Sequence, residues 1–255
     1  MFSKVFCDVN SFKDLQREVA LLANPAQVKV SQRFFKTGKG EYAEGDVFAG
    51  LMVPQCRVLA KKYSALSWRD IAKLLKSTLH EERLIALLML VQQSRTKSRA
   101  RYFTMARVAR FYLAHTRYIN NWDLVDLSAP HILGAYLAES TFRGSTSKSI
   151  LTRLARSANL WERRIAIVAT LALIKQGYFD ETLYIAKILL HDPHDLIHKA
   201  VGWMLREVGK RDQPILEAFL QEHAKAMPRT MLRYAIEKFS PALRQQYLKN
   251  SYAAS

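Results

Sequence analysis

His80-Glu-Glu-Arg-Leu-Ile-Ala86, Asn120-Asn-Trp-Asp-Leu-Val-Asp126 and Leu160-Trp-Glu-Arg-Arg-Ile-Ala166 superpose on one another at offsets of 40 residues. Weaker copies end at Gly202, 36 residues on, and at Ala235, 33 residues further. Each copy follows another segment whose apolar residues recur at helical spacing, such as Trp68 to Leu79, Phe103 to Ala114 and Glu181 to Leu190. A period of about 35 to 45 residues built from helix pairs marks HEAT-like or armadillo-like repeats. The predicted fold is therefore all-α, a superhelical α-solenoid of such pairs, in which a concave face usually takes the partner.

The rest of the chain agrees. Glycine and proline number only 9 and 7, and no alternating strand pattern is flanked by hairpin turns. Helical spacing also covers Glu81 to Gln92, Trp161 to Gln176, His198 to Val208 and Leu216 to Lys225. Ser67 and Asp195 are placed as N-caps, Pro130 and Pro228 as helix starts, and Gly177 and Gly209 after helix ends. One domain is expected over residues 1–255, with about 1–50 lying outside the repeat. That N-terminal part carries Lys36-Thr-Gly-Lys-Gly-Glu-Tyr-Ala-Glu-Gly-Asp46. The order of a phosphate-cradling loop is absent there. The segment reads either as a structural connector or as a loop beside bound DNA, with Tyr42 able to stack.

Thirty-nine Lys and Arg against 22 Asp and Glu give a net charge of +17, which points to a polyanionic partner. The cations are threaded through helical segments, among them Arg107, Arg110, Arg117, Arg153 and Arg156, rather than gathered in a tail. A folded basic surface suits a duplex backbone. No apolar run is long enough to cross a membrane, and no signal peptide is evident at the N-terminus, so a cytoplasmic protein is expected. Cys7 and Cys56 fit no metal-ligand spacing and read as packing residues.

Asp126 breaks the repeat. It falls where the other copies have Ala86, Ala166, Gly202 and Ala235. A carboxylate at a position reserved for small residues is costly unless solvated, paired or useful. It either caps or pairs a neighbouring helix, or it carries chemistry. Trp122 lies four residues earlier on the same helix face. Trp161 and Trp203 recur at comparable places, and Arg164 sits two residues before Ala166. Tryptophans at this spacing serve cores as well as sites. Aromatic rings, a carboxylate and an arginine together suit cleavage of an N-glycosidic bond, which builds positive charge on the sugar. A carboxylate stabilises that charge and orients water. Indole faces attract cations. A base made cationic by alkylation leaves without a general acid.

The chain resembles the DNA alkylation repair enzyme family, the AlkD-type HEAT-like-repeat DNA glycosylases. The likeness rests on Gly40-Glu-Tyr-Ala-Glu-Gly-Asp-Val-Phe-Ala-Gly-Leu51, Asn120–Asp126, Leu160–Ile167 and His198-Lys-Ala-Val-Gly-Trp-Met-Leu-Arg-Glu207, and spans roughly Phe34 to Phe239. It implies hydrolytic removal of N3- and N7-alkylated purines from duplex DNA, without metal or cofactor, by a monomer. The family's catalytic aspartate falls on Asp126, its pocket tryptophans on Trp122 and Trp203, its arginine on Arg164, and a DNA-facing tyrosine on Tyr42. Lys39, Arg143, Lys148, Arg163 and Arg206 are the accompanying candidates for DNA contact. One departure is the longer stretch containing Arg143-Gly-Ser-Thr-Ser-Lys148, which is either an added phosphate contact or a surface loop.

Other constellations are set aside. His191-Asp-Pro-His-Asp195 with His198 lacks a specified third metal ligand. Glu81-Glu82 reads as a solvated helix start, because adjacent residues point to different faces. Ser128 and His131 have neither a strained nucleophile nor an oxyanion hole beside them. The competing functional readings are a non-enzymatic HEAT-repeat module binding nucleic acid or acidic protein, and an RNA-binding scaffold.

Overall fold

Segments with apolar residues at helical spacing, several of them opened by a capping side chain such as Ser11, Asn24, Ser67, Asn159 or Asp212, make helix the default along this chain. The computed structural model describes residues 11–95, 101–139 and 145–250. Within them every regular element is helical, apart from one isolated bridge joining Val47 to Leu79. The chain divides into two compact units, with the boundary between Ser128 and Ala129.

The first unit begins with α1 (Phe12–Leu21) and α2 (Pro25–Phe34). Ser11 caps α1 in a reciprocal capping box with Asp14, and Asn24 caps α2 ahead of Pro25. Turns over 36–46 lead to α3 (Val53–Lys62), α4 (Trp68–Leu75), α5 (His80–Ser94), α6 (Arg101–Ala114) and α7 (Trp122–Ser128). Ser67 caps α4, as the sequence predicts. Every residue from Leu84 to Val91 is buried, so α5 runs through the centre of this unit. α3, α4, α6 and α7 all pack on it.

The second unit starts with a five-residue wide turn, Pro130–Gly134, and a short α8 (Ala135–Leu137). Then come α9 (Ser145–Ala155), α10 (Leu160–Ala169), α11 (Leu171–Ile174), α12 (Asp180–Ile188), α13 (Asp195–Gly209), α14 (Gln213–His223), α15 (Arg229–Ala235) and α16 (Pro241–Asn250). The predicted run Trp161 to Gln176 is interrupted at Thr170, whose hydroxyl donates to the Ile167 carbonyl and competes with the helical ladder. Gly177 ends that stretch at φ +82, with Tyr178 N–H bonded back to Leu173 O. Asp195, expected as an N-cap, is instead the first helical residue and pairs with Lys199. His194 is the cap, its Nδ1 accepting from Leu196 N–H.

The repeat register is realised in both units. α5 and α7 pack together in the first, and α10 on α13 and α13 on α15 in the second. These are the second helices of successive pairs, stacked as helix-pair repeats require. Ala86, Ala166 and Ala235 are buried at the small-residue position. A Cβ at Gly202 would lie 2.5 Å from the Met231 carbonyl oxygen and from Tyr234 Cβ. Overpacking against a backbone carbonyl costs about 1–3 kcal/mol, more than the roughly 1 kcal/mol that alanine gains in a helix. Gly202→Ala is therefore expected to lower stability by about 1 kcal/mol in urea denaturation, and an unchanged midpoint would contradict the close approach.

Glu81 and Glu82, read as a solvated helix start, are buried. Glu81 accepts from the N–H groups of Ala49 (2.9 Å), Gly50 (2.8 Å) and Leu51 (3.2 Å), and Glu82 accepts from Gln16 at 3.2 Å. Gly50, at φ +84, carries the chain close over the Asn24 carbonyl. The glycine-rich segment thus needs a buried acceptor, and Glu81 supplies it from the N-terminal end of α5.

Candidate active site

Asn121 prepares the start of α7. It is fully buried, and its Oδ1 accepts from Trp122 N–H at 2.8 Å while its Nδ2 donates to Asp46 Oδ2 at 3.2 Å. The helix therefore begins at Trp122 with a satisfied amide. The indole is held from several sides. Its Nε1–H donates to the Tyr42 hydroxyl at 3.1 Å. Phe34 meets the ring edge-on at 5.6 Å between centroids, and Phe35 lies tilted against it at 5.4 Å. Trp122 remains half-buried. Tyr42 is thereby placed beside Trp122 by the very loop that the sequence left open between connector and site.

Asp126 lies one helical turn beyond Trp122, half-buried. Its charge is felt by Tyr112, a fully buried phenol that bonds Ser128 Oγ at 3.0 Å. Burial raises the Tyr112 pKa, the Ser128 hydrogen bond opposes this, and the Asp126 carboxylate adds to the rise. A half-buried carboxylate, with an aromatic ring one turn away, can stabilise a developing cation better than one in bulk water.

Behind Trp122 lies a charged network that sequence reasoning did not find. Asp46 accepts from Arg83 Nη2 at 2.6 Å, from His80 Nδ1 at 3.3 Å and from Asn121. His80 Nε2 reaches Asp123 Oδ2 at 2.9 Å. With a carboxylate at each ring nitrogen, the imidazolium is the form that satisfies both. Burial disfavours the charged ring, but the hydrogen bonds to Asp123 and Asp46 outweigh it, and the His80 pKa is raised to about 9. Burial works against ionisation of Asp46 too, yet the hydrogen bond from His80 and the Arg83 charge hold its pKa below the ordinary value. Phe48 stacks on the His80 ring at 4.7 Å, a favourable face for a cation. All of these residues belong to the first unit.

In the second unit, Arg164 is buried on α10 and donates to the Leu196 carbonyl at 2.5 Å. Trp203 is half-buried on α13 beside the close-packed Gly202. Arg163 is bonded to Asp192 at 2.6 Å and to the carbonyls of Ser157 and Ala158. Arg206 pairs with Glu237 and Glu207. Lys148 is exposed, with its ammonium 6.0 Å from the Tyr184 ring centre, and Lys39 in the first unit is exposed as well. Arg143 and Cys7 lie outside the described residues. Cys56 is a buried thiol whose pKa is pushed up to about 12, chiefly by burial and then by the Glu81 and Asp123 charges, as suits a packing residue.

Comparison with known proteins supplies the family. The family model for DNA alkylation repair enzymes matches residues 15–239. The chain belongs to that family. Among solved structures, a predicted DNA alkylation repair enzyme from Enterococcus faecalis is similar in fold, with a TM-score of 0.64 at 18% sequence identity. The alignment covers 86% of this chain and 97% of that one. A search of curated proteins gives no match. No helix among the described residues is long and apolar enough to cross a membrane.

Proposed function

We propose that the protein is a DNA glycosylase that hydrolyses the N-glycosidic bond of cationic N3- or N7-alkylated purines in duplex DNA. The observation that carries this reading is the Asp126 carboxylate one turn beyond an indole fixed by Tyr42 and Phe34. In the proposed step, the bond between C1′ and the purine nitrogen breaks. Its electron pair neutralises the cationic base as it leaves. The oxygen of a water molecule bonds to C1′, and the proton that water loses passes to Asp126 or to solvent. Asp126 stabilises the oxocarbenium-like sugar while this happens. Trp122 and Trp203 are assigned to wall the damaged nucleotide, and Arg164, which also holds the Leu196 carbonyl, to order the phosphate or Asp126.

No metal or cofactor enters the step, and a monomer suffices. Lys39 and Lys148 are proposed as direct phosphate contacts, with Tyr42 near the nucleotide. Arg163 and Arg206 would reach phosphate only by sharing their present carboxylate partners. The test is release of free base from duplex DNA carrying 7-methylguanine or 3-methyladenine, followed by chromatography. Release of either base is expected. Tight duplex binding with no release would favour a binding module on the same fold, and equal affinity for structured RNA would favour the RNA scaffold.

A further inference from the structure

The exposed side of α2 carries two adjacent stripes. Lys29 and Arg33 are four residues apart, and so are Val30 and Phe34, so each pair forms one row along the helix. Together they line a shallow cleft of about 400 Å³. Val30 is 57% exposed and Phe34 62% exposed. Among the described residues, no carboxylate pairs with Lys29 or Arg33.

The positive row continues past the helix end. Lys36 and Lys39 are exposed on the following turns. Two acids of that segment, Glu41 and Glu44, are exposed as well and accept from the N–H groups of Gly38 and Gly40, each at 2.8 Å. Their hydrogen-bond partners are backbone amides, and among the described residues neither forms an ion pair with Lys36 or Lys39. The stripe is also continuous with Trp122, because the Phe34 ring that stands in solvent on one side touches the indole on the other.

We propose that this face of α2 is a second contact surface for duplex DNA, in which Lys29 and Arg33 hold backbone phosphates and Phe34 packs on the nucleotide flanking the one held at Trp122. Charge selects a polyanion, and the aromatic ring between the cations and Trp122 selects one that presents flat faces and sugar edges. The inference rests on the reading of Trp122 as nucleotide-facing.

The experiment measures duplex affinity by fluorescence anisotropy across a salt series, with base release from methylated duplex followed in parallel. The proteins are the wild type, Phe34→Ala, Phe34→Leu and the double variant Lys29→Gln/Arg33→Gln. Phe34→Ala is expected to weaken binding about tenfold, as for loss of one aromatic stacking partner. Phe34→Leu, which keeps the packing against Trp122, should recover only part of this. The double variant should lower the slope of log affinity against log salt by about two. Wild-type affinity and slope in all variants, with base release intact in the wild type, would overturn the surface and leave the glycosylase reading standing. Weakened binding in the variants with no release from wild type would keep the surface and sink that reading. A concentration-dependent dimer dissolved by Phe34→Ala, without change in DNA binding, would assign the face to self-association and overturn the proposal.

Discussion

Asp126→Asn is expected to lower the single-turnover rate of methylated-base release by about 10²–10³-fold while leaving duplex affinity within a few-fold of wild type. Asparagine preserves shape and hydrogen-bonding reach but removes the charge. Loss of one preorganised electrostatic contact to developing transition-state charge is worth roughly 3–4 kcal/mol, which corresponds to that range. The ground-state complex contains a cationic base as well, so some binding is lost. The sugar acquires its own positive charge only in the transition state, and the larger effect therefore falls on the chemical step. Stability supplies a separate check. The repeat itself places alanine or glycine at this position in its other copies, and aspartate is a poorer helix former than alanine by about 0.7 kcal/mol. Asp126→Ala should therefore unfold within about 1 kcal/mol of wild type, although it abolishes release. A variant retaining its rate within fivefold would remove Asp126 from the chemistry. One that loses several kcal/mol would make it a structural residue.

The contrast between Asp126 and its surroundings shows which information a linear sequence carries. The helix-pair period is local: three heptapeptides aligned at equal offsets define it, and α5, α7 and α10 begin within two residues of the aligned starts. Asp126 was legible because a repeat makes its own exceptions visible. Trp122 was legible because it shares one helical turn with Asp126. The buried network was not legible, although every member lay inside a quoted stretch. Asp46 closes the glycine-rich segment, His80 opens one repeat copy, and Asn121 and Asp123 flank Trp122. Asp46 and His80 are separated by 34 residues and meet through tertiary packing alone, which no periodicity reports. Glu81 failed for a related reason. A pair of acids at a helix start is usually solvated, but here three backbone amides of the approaching loop reach Glu81. Phe34 and Phe35 were missed because exposure and ring contact depend on where α2 ends against α7.

That buried network carries the largest expected effect on stability. Asp46, His80 and Arg83 have side chains 3–5% exposed, so removing the carboxylate leaves two cations short of a partner in the interior. Breaking a buried pair in this way costs about 3–5 kcal/mol, and Asp46→Ala should destabilise the protein by that amount. The wild type should also show a pH signature. The folded His80 pKa is about 9 against an ordinary 6.5, so protonated His80 contributes its full stability below pH 6.5. That contribution fades as pH rises through 9, a loss on the order of 3 kcal/mol. For Asp46 the sign is opposite. Its lowered pKa contributes stability above about pH 4 that is lost only as pH falls through the folded value. In Asp46→Asn, His80 keeps Asp123 but loses one carboxylate, so the alkaline loss should shrink and move to lower pH. Urea denaturation at pH 6.5, 7.5 and 9 measures this, and comparing the two proteins cancels the relief of general charge repulsion that a chain of +17 experiences in base. Identical pH dependence in both proteins would mean that His80 is neutral in the fold. Because Asn121 links Asp46 to the Trp122 amide, the alkaline loss should also loosen the start of α7. Base release should then decline over the same pH window, before the protein unfolds.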